Sequence, residues 1–375
     1  MSDEVRTGSG LDPAHQREPR RRPPWGRRWP YRQGQPGSGP EGDGARRRWP
    51  AYAALDLGTN NCRLLVARPT GESFRVIDAF SRIIRLGEGL SASGRLSEGA
   101  IQRAVEALAI CRDKMHNRGV SRARLIATEA CRAAANGQDF IDRIRTDVGI
   151  ELEIVDRETE AELAATGCTP LMDPESEGVI LFDIGGGSSE IVRLARSRPT
   201  HGGPPDPVIR AWDSLPIGVV SLAERYGGVR VDRAVFAAMV DEVAQHVSRF
   251  AAEHGSDMRL ETAHLLGTSG TVTTIAGVHL GLPRYDRRHV DGCWMSDQEV
   301  DHVLERLLGM DYDARVASPC IGAERADLVL AGCAILEAIR RSFPCKRLRV
   351  ADRGLREGIL VQLMREDGVW NGGRP

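Results

Sequence analysis

One motif constrains this chain more than any other, because it occurs twice. An aspartate ends a short apolar strand, a turn of small residues follows, and a second strand begins. The copies are Asp56-Leu57-Gly58-Thr59-Asn60-Asn61 and Asp183-Ile184-Gly185-Gly186-Gly187-Ser188, with the aspartates 127 residues apart. Glycine lets the backbone approach a ligand and aim N–H groups at an anion. A carboxylate beside such a turn can hold Mg²⁺ next to phosphate oxygens. An isolated Asp-x-Gly turn reads as a tight hairpin with a capping aspartate. Two copies at matching places in two repeats read as a pair of phosphate cradles.

The surrounding pattern repeats too. Strands are expected at 53–57, 62–67 and 74–80. Ser97 can cap a helix whose Ile101, Ala104, Val105, Leu108 and Met115 share a face. A strand at 124–128, a helix at 140–148, a strand at 151–155 and a helix at 158–166 follow. The order then restarts with strands at 178–183, 189–194 and 208–213. A Pro/Gly loop at 196–207 separates the last two. Helices at 219–226 and 232–253, a strand at 262–266 and a helix at 271–279 come next. Helices at 297–308 and 325–341, a strand at 347–351 and a helix at 355–364 complete the chain. Each half approximates a βββαβαβα order, which predicts an α/β fold of two similar domains facing a central cleft. The expected division is a disordered tail at 1–50, domains at 51–167 and 168–365, and a flexible C-terminus at 366–375.

Composition separates the tail from the rest. Residues 1–50 hold eight Pro, eight Gly and only three of Ile, Leu, Val, Met or Phe, so they lack the means to bury a core. They carry eleven Arg against six acids, whereas residues 51–375 carry 40 basic and 46 acidic side chains. Arginines 20–22, 27 and 28 interleave with Trp25 and Trp29. That pattern suits contact with RNA, polyphosphate or a membrane surface, and it is more simply that of a solvated tail. No apolar run fits a secretory signal or a membrane span, so a cytoplasmic protein without a membrane partner is expected. The eight cysteines show no C-x-x-C spacing and are expected to be reduced thiols packed as small apolar groups.

Two further loops lie between a strand and a helix. In Leu266-Gly267-Thr268-Ser269-Gly270-Thr271 the hydroxyls and the free N–H groups of the helix start can donate to phosphate, or the hydroxyls can simply cap the helix. In Val350-Ala351-Asp352-Arg353-Gly354, Asp352 can cap or can face the cleft. These loops resemble those of the actin-like ATPase superfamily. With ALDLGTNNCRLLVA, the Ala127-Thr128-Glu129-Ala130-Cys131-Arg132 segment followed by Asn136, Glu158 to Gly167, LFDIGGGSSEIV, LLGTSGT and ADRGLREGIL in order, the chain resembles the Ppx/GppA family of exopolyphosphatases and guanosine pentaphosphate phosphohydrolases. The likeness spans about residues 52–364, and the length is that of the short, two-domain members.

That resemblance implies two actin-like (ribonuclease H-like) domains and hydrolysis of a terminal phosphoanhydride bond. The position matching the family's catalytic base is Glu160. The family commonly reads Glu-Glu-Ala there, against Thr159-Glu160-Ala161 here. Glu158 and Glu162 share a helix face that Glu160 does not. The implied site has Mg²⁺ near Asp56, Asp183 and Glu190, the last binding through water or bracing the turn. Gly58, Thr59, Asn60, Gly185, Gly186, Gly187 and Ser188 hold phosphates, with Gly267, Thr268, Ser269 and Gly270 in the third loop. Arg132 is a candidate cation for phosphoryl oxygens, its alternative being a surface salt bridge. Asn61 replaces a usual serine, and Arg353 a small or aromatic residue. Arg284, Arg287, Arg288 and His289 form a basic cluster suited to guiding polyphosphate; a second lies at Arg340, Arg341, Lys346, Arg347 and Arg349. Polyphosphate is the leading substrate, guanosine pentaphosphate the close alternative, and family members are often homodimers. A kinase of the superfamily and a non-catalytic nucleotide sensor are the competing classes.

Overall fold

The structure is a computed structural model that describes residues 49–196, 207–255 and 258–370. The Arg- and Trp-rich segment, most of the Pro/Gly loop and residues 371–375 lie outside the described residues.

The first sheet contains β1 (Ala51–Leu57), β2 (Asn61–Thr70), β3 (Ser73–Ile83), β4 (Val120–Ala127) and β5 (Glu153–Ile154), in the order β3-β2-β1-β4-β5. The first three strands pair antiparallel, while β4 and β5 join in parallel through helical crossovers. The second sheet contains β6 (Gly178–Ile184), β7 (Ser189–Arg196), β8 (Pro207–Leu215), β9 (His264–Thr268), β10 (Trp294–Ser296) and β11 (Arg347–Val350). Its order, β8-β7-β6-β9-β11-β10, repeats the first with one antiparallel edge strand added. The internal repeat is therefore a repeat of topology.

Each central strand is apolar on both faces because helices cover both. Ala53, Leu55 and Leu57 of β1 meet Ile101, Ala104 and Leu108 of the helix Glu98–Asn117, which Ser97 caps through the Ala100 N–H. Tyr52 and Ala54, pointing the other way, meet Leu163, Ile359 and Leu360. In β6, Ile180 and Phe182 join the large core of the second domain, while Val179 and Leu181 join Ala161, Ala165 and Cys168. This strict alternation follows from the period-2 geometry of a strand. Truncating a buried leucine such as Leu55 to alanine costs about 2–5 kcal/mol.

Two helices join the halves. Arg157–Cys168 and Leu355–Glu366 cross beneath the first sheet so closely that a Cβ on Gly358 would sit 2.0 Å from the Leu163 carbonyl oxygen. A Cβ on Gly167 would sit 2.0 Å from the Gly354 oxygen. The first helix carries Glu160, and the second begins beside Asp183, so this backbone contact sets the distance between them.

The expected elements are present with shifted ends. The helix expected from 325 begins at Val329, and the strand expected from 124 begins at Val120. The short helices Leu90–Ser93, Glu129–Ala133, Arg287–Val290 and Tyr312–Ala317, with strand β10, had no expectation. None is long enough to display a hydrophobic period. All eight cysteines are free thiols and seven are buried. No described helix is long and apolar enough to cross a membrane.

Candidate active site

The two Asp-x-Gly turns share one backbone design. The Gly58 N–H donates to the Asn61 carbonyl at 2.9 Å, and the Gly185 N–H donates to the Ser188 carbonyl at 3.0 Å. Each turn places its aspartate opposite a charged residue of the next strand, Asp56 opposite Arg63 and Asp183 opposite Glu190. The loops then meet each other. A Cβ on Gly186 would lie 2.9 Å from the Thr59 Cβ, and one on Gly187 would lie 2.9 Å from the Thr59 Oγ1. Part of the glycine run therefore exists to let the first loop approach the second, a cause invisible in either segment alone.

Four carboxylates gather at this junction. Burial pushes the Asp183 carboxyl up to about 6, with Asp56 adding to the effect. Burial and the nearby Asp183 push Glu190 up to about 7, although the Ser188 and Ser214 hydroxyls donate to its Oε1 at 2.8 and 3.0 Å. Asp56 is raised by burial, and Glu160 well raised by burial and by Glu190. Among the described residues neither aspartate forms an ion pair; Arg63 and Arg356 lower both only through their field. Two half-buried carboxylates without a paired cation among the described residues fit a hard divalent ion with oxygen ligands. Among the described residues no three His, Cys, Asp or Glu side chains could hold a metal by themselves. Mg²⁺ here would take other ligands from water and phosphate, as that ion ordinarily does.

Glu160 lies in the first turn of the helix Arg157–Cys168, capped by Asp156 through the Thr159 N–H at 2.7 Å. It is 9% exposed, while Glu158 and Glu162 face solvent. Arg132 reaches it from the short helix after β4. Its Nη1 and Nη2 each donate to the Glu160 Oε2 at 3.2 Å. Nη1 also donates to the Val155 carbonyl at 2.6 Å, and Nε donates to the Glu129 Oε2 at 3.1 Å. A further bond runs from Nη2 to Glu129. A guanidinium has five N–H donors, and protein oxygens take all five. Arg132 here grips the carboxylate at the base position rather than offering donors to a phosphate.

The third loop is stapled by its own hydroxyls. Thr268 Oγ1 donates to the Arg353 carbonyl at 2.6 Å and Ser269 Oγ to the Ile184 carbonyl at 2.8 Å. Ser269 has φ 81, an uncommon conformation for a residue with a side chain. The backbone at the start of the helix Ser269–His279 lines a cavity of about 50 Å³ with Asn60, Asn61, Arg63, Gly185 and Arg325. The amide oxygens of Asn60 and Asn61 are buried there without a hydrogen-bond partner. Arg63 and Arg325 form no ion pair among the described residues; Arg325 donates to the Thr274 hydroxyl at 3.3 Å. Neither arginine stood among the candidate site residues. In an Arg-rich chain only the absence of a carboxylate partner, a property of the folded molecule, marks them.

The basic clusters look different once folded. Arg287 is held by Glu357 at 2.9 Å and lies 3.6 Å from Asp352, and Arg288 is held by Asp286 at 2.8 Å. Arg340 is buried among Asp297, Asp301 and Glu337, and Arg347 pairs with Asp173. Arg353 pairs with Asp291, and the Gly354 N–H is capped by Glu357 rather than by Asp352. Most of these charges are neutralised within the fold and leave little field for guiding a polyanion.

Residues 65–367 match the model of the Ppx/GppA phosphatase family. Over 324 residues the chain is 28% identical to the guanosine-5'-triphosphate,3'-diphosphate pyrophosphatase of Photobacterium profundum. That match covers 84% of this chain and 59% of the relative, so the chain spans about three fifths of the relative's length. The crystal structure of the Aquifex aeolicus member of the Ppx/GppA family is 26% identical, with a TM-score of 0.69, and covers 85% of this chain and 98% of that one. An exopolyphosphatase from Cytophaga hutchinsonii ATCC 33406, 22% identical, shares the fold at a TM-score of 0.75 over 84% of this chain and 98% of its own. The two-domain actin-like architecture expected from the sequence motifs is the one found.

Proposed function

The chain belongs to the Ppx/GppA phosphatase family, and from that premise we propose that it is an exopolyphosphatase, a Mg²⁺-dependent enzyme that releases orthophosphate from the ends of inorganic polyphosphate. What carries the proposal is Glu160, a buried carboxylate pinned by Arg132 beside two aspartates that lack a paired cation.

The chemistry is as follows. Glu160 accepts a proton from a water molecule whose oxygen attacks the terminal phosphorus. The bond from that phosphorus to the bridging oxygen breaks, and the shortened chain leaves with the electron pair. A carboxyl raised toward neutral pH is a better base than an ordinary one. Burial and the neighbouring carboxylates raise Glu160, and Arg132 keeps its ionised form accessible. The N–H groups of residues 59–60, 186–188 and 269–270 hold phosphate oxygens, while those of Gly58 and Gly185 close the turns themselves, and Arg63 and Arg325 offset the phosphate charge. Asp56 and Asp183, with Glu190 behind them, would hold Mg²⁺, which would supply further charge neutralisation. In such reactions positioning and electrostatics do most of the catalysis.

The cavity supports polyphosphate over a nucleotide. Its lining holds no aromatic ring on which a nucleobase could stack. The relationship to the Photobacterium pyrophosphatase favours a second reading, removal of the 5' terminal phosphate of guanosine pentaphosphate. Phosphate release with Mg²⁺ from long-chain polyphosphate, guanosine pentaphosphate and ATP separates the two. Faster release from polyphosphate supports the first, preference for the nucleotide replaces it with the second, and release from none of them ends both. The proposal also takes the protein to act in the cytoplasm as a homodimer, with the Arg- and Trp-rich tail touching RNA or other polyanions. Family resemblance and tail composition support these parts, and sedimentation with and without residues 1–48 tests the last two.

A further inference from the structure

We propose that Glu129 is a positioning residue for the reaction: it orients Arg132, which in turn orients Glu160. This rests on Glu160 being the base.

Glu129 opens the short helix Glu129–Ala133 directly after β4, and its side chain is 13% exposed. It accepts from Arg132 on one side through Nε and Nη2. On the other side it accepts from Arg157, whose Nη2 lies 3.1 Å from Oε1. A guanidinium held along one edge by Glu129 presents its other edge in a single direction, and that edge meets the Glu160 Oε2. The Glu160 Oε1 is left to accept the proton of water. The stem of Glu129 also packs on the second loop, where a Cβ on Gly187 would lie 3.2 Å from the Glu129 Cγ. One side chain thus touches both the loop that cradles phosphate and the arginine that aims the base. The carboxylate stands opposite an Arg132 already bound to Glu160, so it also divides the cation between two anions. Without it, Arg132 pairs with Glu160 alone and draws the base away from the water.

The test uses the full chain and steady-state phosphate release from polyphosphate with Mg²⁺. Glu129→Ala should lower kcat by about 10- to 100-fold, the scale of a misplaced catalytic group, with KM within about threefold. Glu129→Gln keeps an acceptor oxygen and the volume, so it should retain more activity than Glu129→Ala. Arg157→Ala removes only an exposed partner and should lower kcat by less than about fivefold. Circular dichroism and thermal melting establish that each variant is folded. Should Glu129→Ala not fold, Glu129→Gln carries the test through a smaller loss of kcat at constant KM, and a normal kcat in that variant overturns the proposal. The double variant with Glu160→Gln should be no slower than Glu160→Gln alone, because both act on one step. A normal kcat in Glu129→Ala, or an effect confined to KM, overturns the proposal; the second result would put Arg132 on the phosphate. A Glu160→Gln enzyme with full activity overturns the base assignment as well, so the two failures are distinguishable.

Discussion

The two halves of the cleft carry the same hairpin with opposite charge. Seven residues beyond the strand aspartate, the first half has Arg63 and the second has Glu190, each directly opposite its aspartate on the neighbouring strand. The backbone bonds of the turns are equivalent, at 2.9 and 3.0 Å. Thus the repeat keeps a scaffold, while the chemistry comes from what each copy places on it. The first half puts a cation and, through the helix Arg157–Cys168, Glu160 on one side of the cleft. The second half puts Asp183 and Glu190 on the other, with a glycine run that lets the loops meet.

Making the halves alike should break this arrangement. Arg63→Glu turns a phosphate partner into a repelling charge. It should raise the polyphosphate KM by about 100-fold, the scale of losing a buried charge partner, while the protein still folds; kinetics with a thermal melt check both. An unchanged KM would mean that the two register positions are interchangeable.

The carboxylate half should reveal itself in stability. Glu190 titrates near an ordinary glutamate value when unfolded and at about 7 when folded, and Asp183 rises to about 6. The folded state therefore holds protons more tightly, so these groups stabilise it at low pH and lose that contribution as pH rises from about 4 through about 7. Metal-free protein should lose about 3 kcal/mol across that window for the Glu190 shift alone. Glu190→Gln should remove much of the loss, and added Mg²⁺ should oppose it in the unaltered chain. Denaturant melts at pH 5 and pH 8 measure this, and a slope of the other sign would contradict the cluster.

Two smaller changes sharpen the comparison by separating scaffold from chemistry. Gly358→Ala pushes a methyl against the Leu163 carbonyl, shifting the helix that carries Glu160. It should cost about 1–3 kcal/mol and lower kcat, as calorimetry and kinetics would register. Thr268→Val removes a hydroxyl that bonds the Arg353 carbonyl rather than substrate. It should cost about 1 kcal/mol and leave KM unchanged; a raised KM would return that hydroxyl to the phosphate.

What could be read in advance was whatever local pattern dictates. The double motif, the strands β1 and β6, the helix capped by Ser97, and the separation of Glu160 from its solvent-facing neighbours all follow from spacing along one segment. What could not be read were relations across segments. Glu129 and Arg132 are three apart, yet their meaning comes from Arg157 and Glu160, each 28 residues further on. The Thr268 and Ser269 hydroxyls looked free for phosphate because their carbonyl partners, Arg353 and Ile184, lie 85 residues away. The basic clusters looked available in part because Glu357, the partner of Arg287, and Asp173, the partner of Arg347, lie 70 and 174 residues away.

The most direct test is Glu160→Gln, followed by both binding and turnover of polyphosphate with Mg²⁺. The substitution keeps shape and removes the base. Binding should hold within about threefold, while phosphate release should fall by about 10²–10⁴-fold, the span of general-base catalysis. Release at the normal rate from a variant that binds normally would contradict the account, for it would leave the buried, arginine-pinned carboxylate without a part in the chemistry.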